Sequence, residues 1–306
     1  MKPQSVVFVD GARTPFGRAG EKGMYWRTRA DDMVVSAIIG LLERNPGISH
    51  DAIEEVAIAA TTQEGDQGLT LGRTAAILAG LPQSVPGYAL DRMCAGAMTT
   101  VTTIGSAIGV GAIDIGLAGG VEHMGRHPLG GDVDPNPRFL SEKLVSPDAL
   151  NMGITAERLH DRFPHLTKER ADAFGMASQH KAEAAYQAGH IQKDLIPVAL
   201  RGDGGYGLAT EDEGRRPTTT MEGLAELKTP FRPHGKVTAG NASPLTDGAT
   251  VAALASEEVA NKLGLGVKMR MVSFGFAGVE PEAMGLGPMS TTKKALEKAG
   301  LSIEDI

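Results

Sequence analysis

The sequence predicts an α/β fold, because short apolar β-branched runs alternate with helix-length segments over roughly its first third. The composition agrees with this prediction. The 306 residues include 40 glycines and 42% hydrophobic residues but only 4% aromatic residues, which is typical of helices packed closely on a sheet. A chain of this size and apolar content can bury a large core.

The first elements follow from apolar spacing and turn residues. Val6 to Val9 is a β-branched run that ends at Asp10-Gly11, so we expect a buried strand and a turn. Ala30 to Leu42 carries apolar residues at helical spacing and stops before Asn45-Pro46-Gly47, as an amphipathic helix does. Val56 to Ala60 is the next predicted strand.

The alternation continues as far as Gly119-Gly120. Arg73 to Ala79 is a predicted helix that ends before a glycine, and Tyr88 to Leu90 is extended. Ala95 to Val110 consists mostly of small and apolar residues, so we expect a helix buried on every side. Ile113 to Ala118 is another apolar strand. The order βαβαβαβ predicts a mainly parallel sheet.

The later part of the chain is organised differently. Residues 121 to about 243 hold most of the prolines and histidines and one clear helix, from Lys168 to Ala188, and are predicted to form an inserted loop domain. Gly300-Leu301-Ser302 followed by Ile303 to Ile306 repeats the pattern of residues 47–56. A second α/β half is therefore expected to begin near the C-terminus and to stop where its next strand should start.

Composition excludes several classes of protein. A single cysteine allows no internal disulfide, and the N-terminus lacks the apolar run of a signal peptide, so we expect a cytoplasmic protein. No apolar stretch approaches the roughly 20 residues that cross a bilayer. The net charge of −7, without clustered Lys and Arg, argues against a nucleic-acid partner.

Cys94 is the first candidate for chemistry. A lone cysteine in an apolar helix is more often a small buried hydrophobe than a nucleophile. Its position at the predicted strand-to-helix junction favours the second interpretation, because free N–H groups and the positive helix end stabilise a thiolate.

The residues around Cys94 resemble a known family. Asp91-Arg92-Met93-Cys94-Ala95-Gly96-Ala97, ahead of a small-residue helix, resembles the nucleophile segment of thiolases. Further motifs resemble the same family in the same order: Arg13-Thr14-Pro15-Phe16-Gly17, Gly119-Gly120-Val121-Glu122-His123-Met124, Met152-Gly153-Ile154-Thr155-Ala156-Glu157, Thr238-Ala239-Gly240-Asn241-Ala242-Ser243, Asp247-Gly248-Ala249 and Met284-Gly285-Leu286-Gly287-Pro288. The similarity spans essentially the whole chain, apparently truncated at its C-terminus.

The resemblance implies a layered αβαβα thiolase fold. Residues 1–118 with 244–265 would form the N-terminal domain, residues 119–243 the inserted loop domain that binds coenzyme A, and residues 266–306 the start of the C-terminal domain. Family members are homodimers or homotetramers and use neither a metal nor a redox cofactor, so neither is expected.

The resemblance also implies acyl transfer on coenzyme A thioesters in fatty acid metabolism. The thiolate of Cys94 would attack the thioester carbonyl and form an acyl-enzyme, either for 3-ketoacyl-CoA thiolysis or for condensation of two acetyl-CoA molecules. Six residues are implied for coenzyme A: Arg216 near the nucleotide, Ser243 and Ala239 along the pantetheine arm, and Met152, Leu227 and Phe231 in the tunnel.

The sequence departs from the family pattern at several points. It has no second cysteine and no G-H-P or N-E-A-F motif, so we expect acylation by this chain alone but not complete turnover. Asp91 stands where the family commonly has asparagine, and Gly96-Ala97 replaces its usual Ser-Gly. Asn151 replaces a histidine of many biosynthetic members, which favours the degradative direction.

Two alternative functions and two weak motifs stay open to test. The alternatives are a non-catalytic acyl-CoA-binding or assembly fragment and a relative of ketoacyl synthases. The G-x-G-x-x-G match from Gly202 to Gly207 is interpreted as a turn, because no apolar strand leads directly into it and no helix follows it. His123 and His127 are not expected to bind metal, because Gly125 and Pro128 would break the required helix.

Overall fold

The computed structural model describes residues 3–131, 133–202 and 205–306. They divide into two compact units. The first unit consists of Met1–Gly131, Gly189–Gly214 and Leu245–Met271, and the second of Asp132–Ala188, Arg215–Pro244 and Val272–Ile306. The domain boundaries given above stay a prediction.

Strands and helices alternate in the first unit, whereas helices dominate the second. The strands are β1 (Val6–Arg13), β2 (Gly17–Arg18), β3 (Glu55–Ala59), β4 (Gly87–Leu90), β5 (Ile115–His123), β6 (Val198–Gly202), β7 (Gly205–Ala209), β8 (Thr246–Ser256) and β9 (Met269–Arg270). The helices are α1 (Ala30–Arg44), α2 (Leu71–Leu78), α3 (Gly96–Gly109), α4 (Arg138–Ser141), α5 (Met152–Arg162), α6 (Lys168–Gln187), α7 (Met221–Ala225), α8 (Glu257–Lys262) and α9 (Gly287–Ala299). None of these described helices is long and apolar enough to cross a membrane.

The main sheet of the first unit is mixed. Its order is β4-β3-β5-β8-β1-β9, with β2 also paired to β8. Strand β3 is parallel to β4 and β5, whereas β8 is antiparallel to both β5 and β1. The strands β1, β3, β4 and β5 therefore share one direction, as predicted, but β8 separates β1 from β5. The parallel prediction missed this strand because β8 comes from a distant part of the chain.

Helices cover both faces of this sheet. On one face, α1 buries Met33, Ile38 and Leu41, and α2 buries Leu71, against the sheet. On the other face, α3 buries Ile104 and Ile108. Each such side chain contributes about 1.5–3 kcal/mol when fully buried. Coverage on both faces explains why the strands are continuous apolar runs rather than alternating ones.

Helix α3 is buried on one side only. The expectation that it is buried all round is wrong, because Met98 is 65% exposed and Thr103 and Ser106 also face outward. Thr99 and Thr103 satisfy their hydroxyls by donating to backbone carbonyls four residues earlier. Helix α3 contains no charged residue from which an exposed side could have been predicted.

The G-x-G-x-x-G match lies in a hairpin. Strands β6 and β7 pair antiparallel, with Gly202 opposite Gly205, and Asp203 and Gly204 lie outside the described residues. A strand does lead into the match, contrary to the sequence interpretation. Because the chain returns as a second strand and not as a helix, this is not a dinucleotide-binding turn.

Candidate active site

Cys94 lies between a strand and a helix, as the sequence predicted. Strand β4 ends at Leu90, the 3₁₀ turn Met93–Ala95 carries the cysteine, and α3 begins at Gly96. The thiol is exposed. This position next to the helix N-terminus is one at which the helix dipole favours negative charge.

The turn that carries Cys94 is unusual in its backbone. Met93 has a φ of 47°, in the left-handed region that non-glycine residues rarely adopt. Asp91 stabilises this turn, because its Oδ1 accepts a hydrogen bond from the Met93 N–H at 2.6 Å. The Ala95 N–H donates to the Arg92 carbonyl at 3.1 Å. The departure from asparagine at Asp91 is thus explained, since either side chain offers this acceptor.

Close packing fixes the start of α3 against the sheet. A Cβ atom at Gly96 would lie 2.7 Å from the Ala59 Cβ on β3, so only glycine fits there without movement. The Thr100 hydroxyl donates to the Gly119 carbonyl of β5 at 2.9 Å. Glycine at position 96 therefore allows the first turn of α3, which directly follows Cys94, to pack against the end of β3.

A polar network ties together the ends of β3 and β5. Glu122 accepts from the Thr61 N–H and from Gln67 Nε2, both at 2.8 Å. Gln67 in turn accepts from the His123 N–H at 2.6 Å. Carboxyl ends of strands in α/β sheets are where functional groups usually lie, and this network fixes the loops beside that edge.

His123 and His127 each bond to groups within the protein. His123 Nε2 lies 2.9 Å from the Tyr25 carbonyl oxygen, and His127 Nε2 pairs with the Asp66 carboxylate. Both rings are buried. Among the described residues there is no group of His, Cys, Asp and Glu that could hold a metal ion. The absence of a metal stays a prediction.

All six residues predicted to bind coenzyme A lie in the second unit and are exposed. The residues are Arg216, Ser243, Ala239, Met152, Leu227 and Phe231. The last three are large apolar side chains that are between 37% and 44% exposed. Exposed apolar side chains of this size are suited to contact a ligand.

Two glycines allow residues of this set to pack closely against segments that carry other residues of the set. A Cβ at Gly153 would lie 2.2 Å from the Phe231 ring, which places Phe231 against the start of α5 beside Met152. A Cβ at Gly240 would lie 2.7 Å from Leu227, which places Leu227 against the loop that contains Ala239. Phe231 therefore lies beside the segment that carries Met152, and Leu227 lies beside the segment that carries Ala239.

Helix α6 anchors the segment that contains Arg216. The Arg216 N–H donates to Gln179 Oε1 at 2.7 Å. The neighbouring Arg215 stacks 3.8 Å from the centroid of the Tyr186 ring and pairs with Glu183 at 2.6 Å. The Arg215–Arg216 segment is therefore held against α6 by the Arg216 backbone and the Arg215 side chain.

The loop from residue 235 to 243 is held by buried carboxylates that the sequence analysis gave no role. Asn241 donates to Asp172 at 2.8 Å and accepts from the Thr238 N–H at 2.8 Å. Glu157 is fully buried and bonds to the same loop. Gly153, Glu157 and Asp161 follow one another at intervals of four residues and so share one face of α5. This spacing was the sequence signal that could have assigned this face a common role.

Comparison with known proteins decides the family. A sequence profile described as "Thiolase, N-terminal domain" matches residues 6–258. The chain is 40% identical over 305 residues to a 3-ketoacyl-CoA thiolase of Aliivibrio fischeri, covering 99% of this chain and 78% of that protein. A 3-ketoacyl-CoA thiolase of Saccharophagus degradans is 40% identical over 308 residues, covering 100% and 78%. The chain belongs to the thiolase family.

Solved structures support the same family assignment. The crystal structure of the Bacillus anthracis acetyl-CoA acetyltransferase has a TM-score of 0.87 and 32% identity to this thiolase, and that of human mitochondrial 3-ketoacyl-CoA thiolase has 0.88 and 28%. Each comparison covers 99% of this chain and 78% of the solved one. The predicted fold class is confirmed, and so is the function: this thiolase is an acyltransferase that acts on coenzyme A thioesters. The non-catalytic alternative is not favoured.

Proposed function

We propose that Cys94 is the nucleophile of this thiolase and that its physiological substrate is a 3-ketoacyl-CoA. The observation that carries the nucleophile assignment is the exposed thiol on the Met93–Ala95 turn, directly ahead of α3. A nucleophile needs access to its substrate, and a buried structural cysteine would lack it. The names of the curated relatives and Asn151 support the degradative substrate.

The chemical step is acyl transfer to sulfur. The Cys94 Sγ, as thiolate, attacks the carbonyl carbon of an acyl-CoA thioester, and a new carbon–sulfur bond forms. The bond between that carbon and the sulfur of coenzyme A breaks, and the leaving thiolate takes up a proton. The backbone N–H of Cys94 is proposed to stabilise the negative oxygen in between.

Coenzyme A is proposed to bind to the second unit. Arg216 would contact the nucleotide through its guanidinium, which matches phosphate oxygens in a planar fork. Ser243 and Ala239 would line the pantetheine arm, and Met152, Leu227 and Phe231 the tunnel. Their exposure and the ordered segments that carry them support this assignment.

Further properties follow from the family resemblance alone. We expect a homodimer or homotetramer in the cytoplasm that takes part in fatty acid metabolism, with coenzyme A thioesters as substrates and without a metal or redox cofactor. Asn151 supports the degradative assignment only through its identity. In the structure it caps α5, where its side chain accepts from the Ile154 N–H at 3.2 Å.

Alkylation tests the nucleophile assignment. Because Cys94 is the only cysteine, all iodoacetamide label reports on this residue. We expect rapid labelling near neutral pH and strong slowing by acetyl-CoA, but not by the same concentration of free adenosine. Labelling that is slow, or that acetyl-CoA does not slow, would favour a structural thiol and contradict the proposal.

A further inference from the structure

Glu157 is a buried carboxylate that accepts hydrogen bonds from a neighbouring loop. Its side chain has no solvent exposure. Oε1 accepts from the backbone N–H groups of Lys236 and Val237, each at 2.8 Å, and Oε2 also accepts from the Lys236 N–H at 3.0 Å. Arg232 adds an ion pair at 3.1 Å. Two successive amides that point at one carboxylate form a small anion site within the protein.

The cost of burying this charge indicates that the contact is specific. A buried carboxylate is strongly unfavourable unless charge-assisted hydrogen bonds surround it. Here the compensating donors are all on the segment from Arg232 to Val237. Gly235 leaves the space, since a Cβ there would lie 2.3 Å from Glu157 Oε1. The loop backbone therefore has one position that satisfies the carboxylate.

The same face of α5 makes two further contacts with this segment. One turn before Glu157, Gly153 allows the Phe231 ring to approach closely. One turn after it, Asp161 pairs with both terminal nitrogens of Arg232, at 2.6 and 2.8 Å. Asp161 is largely exposed, and its hydrogen bonds among the described residues come from the side chain of Arg232. Among these three, Glu157 alone binds the loop backbone.

The position of the backbone at residues 236 and 237 sets the residues that follow. Val237 and Thr238 are buried, and Asn241 is held by Asp172 on α6 at 2.8 Å. Ala239 and Ser243 lie on the same short loop and are exposed. Ala239 therefore lies between the backbone held by Glu157 and the Asn241 side chain held by Asp172, and Ser243 follows Asn241 by two residues.

We propose that Glu157 is a positioning residue of the coenzyme A site, which it acts on by fixing the backbone that presents Ala239 and Ser243 to the pantetheine arm. This inference rests on the proposed function, because it assumes that the loop contacts coenzyme A. It predicts that the loss of the carboxylate weakens binding of coenzyme A and leaves the reactivity of Cys94 unchanged.

The test compares Glu157→Gln with Asp161→Asn. Both substitutions remove a negative partner of Arg232, but only the first changes an acceptor of the Lys236 and Val237 amides. Calorimetric titration with coenzyme A should show a dissociation constant about tenfold higher for E157Q and near the wild-type value for D161N. The half-saturating acetyl-CoA concentration for acetylation of Cys94 should rise likewise, with its maximal rate unchanged.

Gly235→Ala disturbs the contact between Glu157 and the loop by a change in the loop itself. It pushes the backbone away from an intact Glu157 and should weaken binding to a similar extent, so it decides the matter if E157Q does not fold. Wild-type affinity in a folded E157Q or in G235A overturns the inference but leaves the proposed site intact. No coenzyme A binding by the wild-type chain overturns both. A lower maximal acetylation rate with unchanged half-saturation would contradict a positioning role.

Discussion

The Asp247 carboxylate faces the His123 imidazole at 3.4 Å between Oδ2 and Nδ1, with both side chains fully buried. His123 Nε2 lies against the carbonyl oxygens of Tyr25 and Thr28, so this nitrogen carries a proton. Nδ1 accepts from the Arg126 N–H at 3.2 Å and therefore carries none. Among the described residues, Oδ2 has no hydrogen-bond partner.

Asp247→Asn should be tolerated at neutral pH. Burial raises the pKa of Asp247 above its ordinary value of 3.8, although hydrogen bonds from the Gly125 and Met124 amides and the nearby His123 oppose this. A raised carboxyl pKa destabilises the folded state as pH climbs above 3.8. The free energy of unfolding of D247N in urea titrations should therefore match or exceed that of wild type, by a margin that grows as pH rises from 3.8 to the folded-state pKa and is constant above it.

Asp247→Ala supplies the comparison. It removes the acceptor of the Gly125 N–H, which lies 2.9 Å from Oδ1, and should make D247A about 1–3 kcal/mol less stable than D247N at every pH, because both variants lack the titrating carboxyl. If D247N were as unstable as D247A, and its deficit grew with pH, Asp247 would have to be ionised and paired with a charged imidazole.

Asp66→Asn should behave in the opposite way. Burial would raise the pKa of Asp66, but its hydrogen bond to His127, the charge of Arg126 and the Ala30 N–H together hold the pKa below its ordinary value of 3.8. A lowered pKa contributes stability that is present above 3.8 and is lost as pH falls through the folded-state value. D66N should lose about 3–5 kcal/mol at pH 7, and this deficit should shrink in acid. A deficit that does not depend on pH would contradict this account.

The sequence predicted local features of the fold better than long-range ones. The strand-to-helix junction at Cys94 and the start of α1 followed from apolar spacing and turn residues within a short window, and α1 ends two residues after the predicted Leu42. The pairing of β8 between β1 and β5 joins segments more than a hundred residues apart, and no local pattern encodes it. The outward side of α3 was missed because Met98 resembles a core residue.

In the candidate site too, local motifs were predicted from the sequence and long-range contacts were not. Motif resemblance supplied Cys94 and the six proposed coenzyme A residues, whose roles stay predictions. The supporting carboxylates Glu157 and Asp172 received no role, because their importance depends on which donors the folded chain places beside them, namely backbone amides for Glu157 and the Asn241 side chain for Asp172. An acidic residue in a helix is usually solvated, and only burial distinguishes these two.

Gly96→Ala should disturb the helix that follows Cys94. The added methyl group would overlap Ala59, so we expect a loss of about 1–3 kcal/mol in the free energy of unfolding and a changed rate of Cys94 alkylation. Gly109→Ala on the same helix is the control. Its Cβ would meet Val6 at an ordinary 3.6 Å, so stability should be kept or rise by up to about 1 kcal/mol. Equal behaviour of the two variants would contradict the packing argument.

Arg216→Ala should weaken binding of the nucleotide part of coenzyme A. Loss of a guanidinium–phosphate contact is expected to raise the dissociation constant about tenfold at low salt, and less at high salt. Arg138→Ala is the matched control, since Arg138 is an exposed arginine of the same unit that pairs with Glu142, the residue directly after α4. An equal effect of both substitutions in calorimetry would point to overall charge and not to a site at Arg216.

Trapping of the acyl-enzyme tests the central claim most directly. The protein is incubated with acetyl-CoA, quenched in acid and digested, and the peptide that contains residue 94 is examined by mass spectrometry. Our account predicts one acetyl group on Cys94 and its absence in Cys94→Ser under the same brief exposure. Acetylation at other residues only, or none on a folded wild-type protein that binds coenzyme A, would contradict Cys94 as the nucleophile.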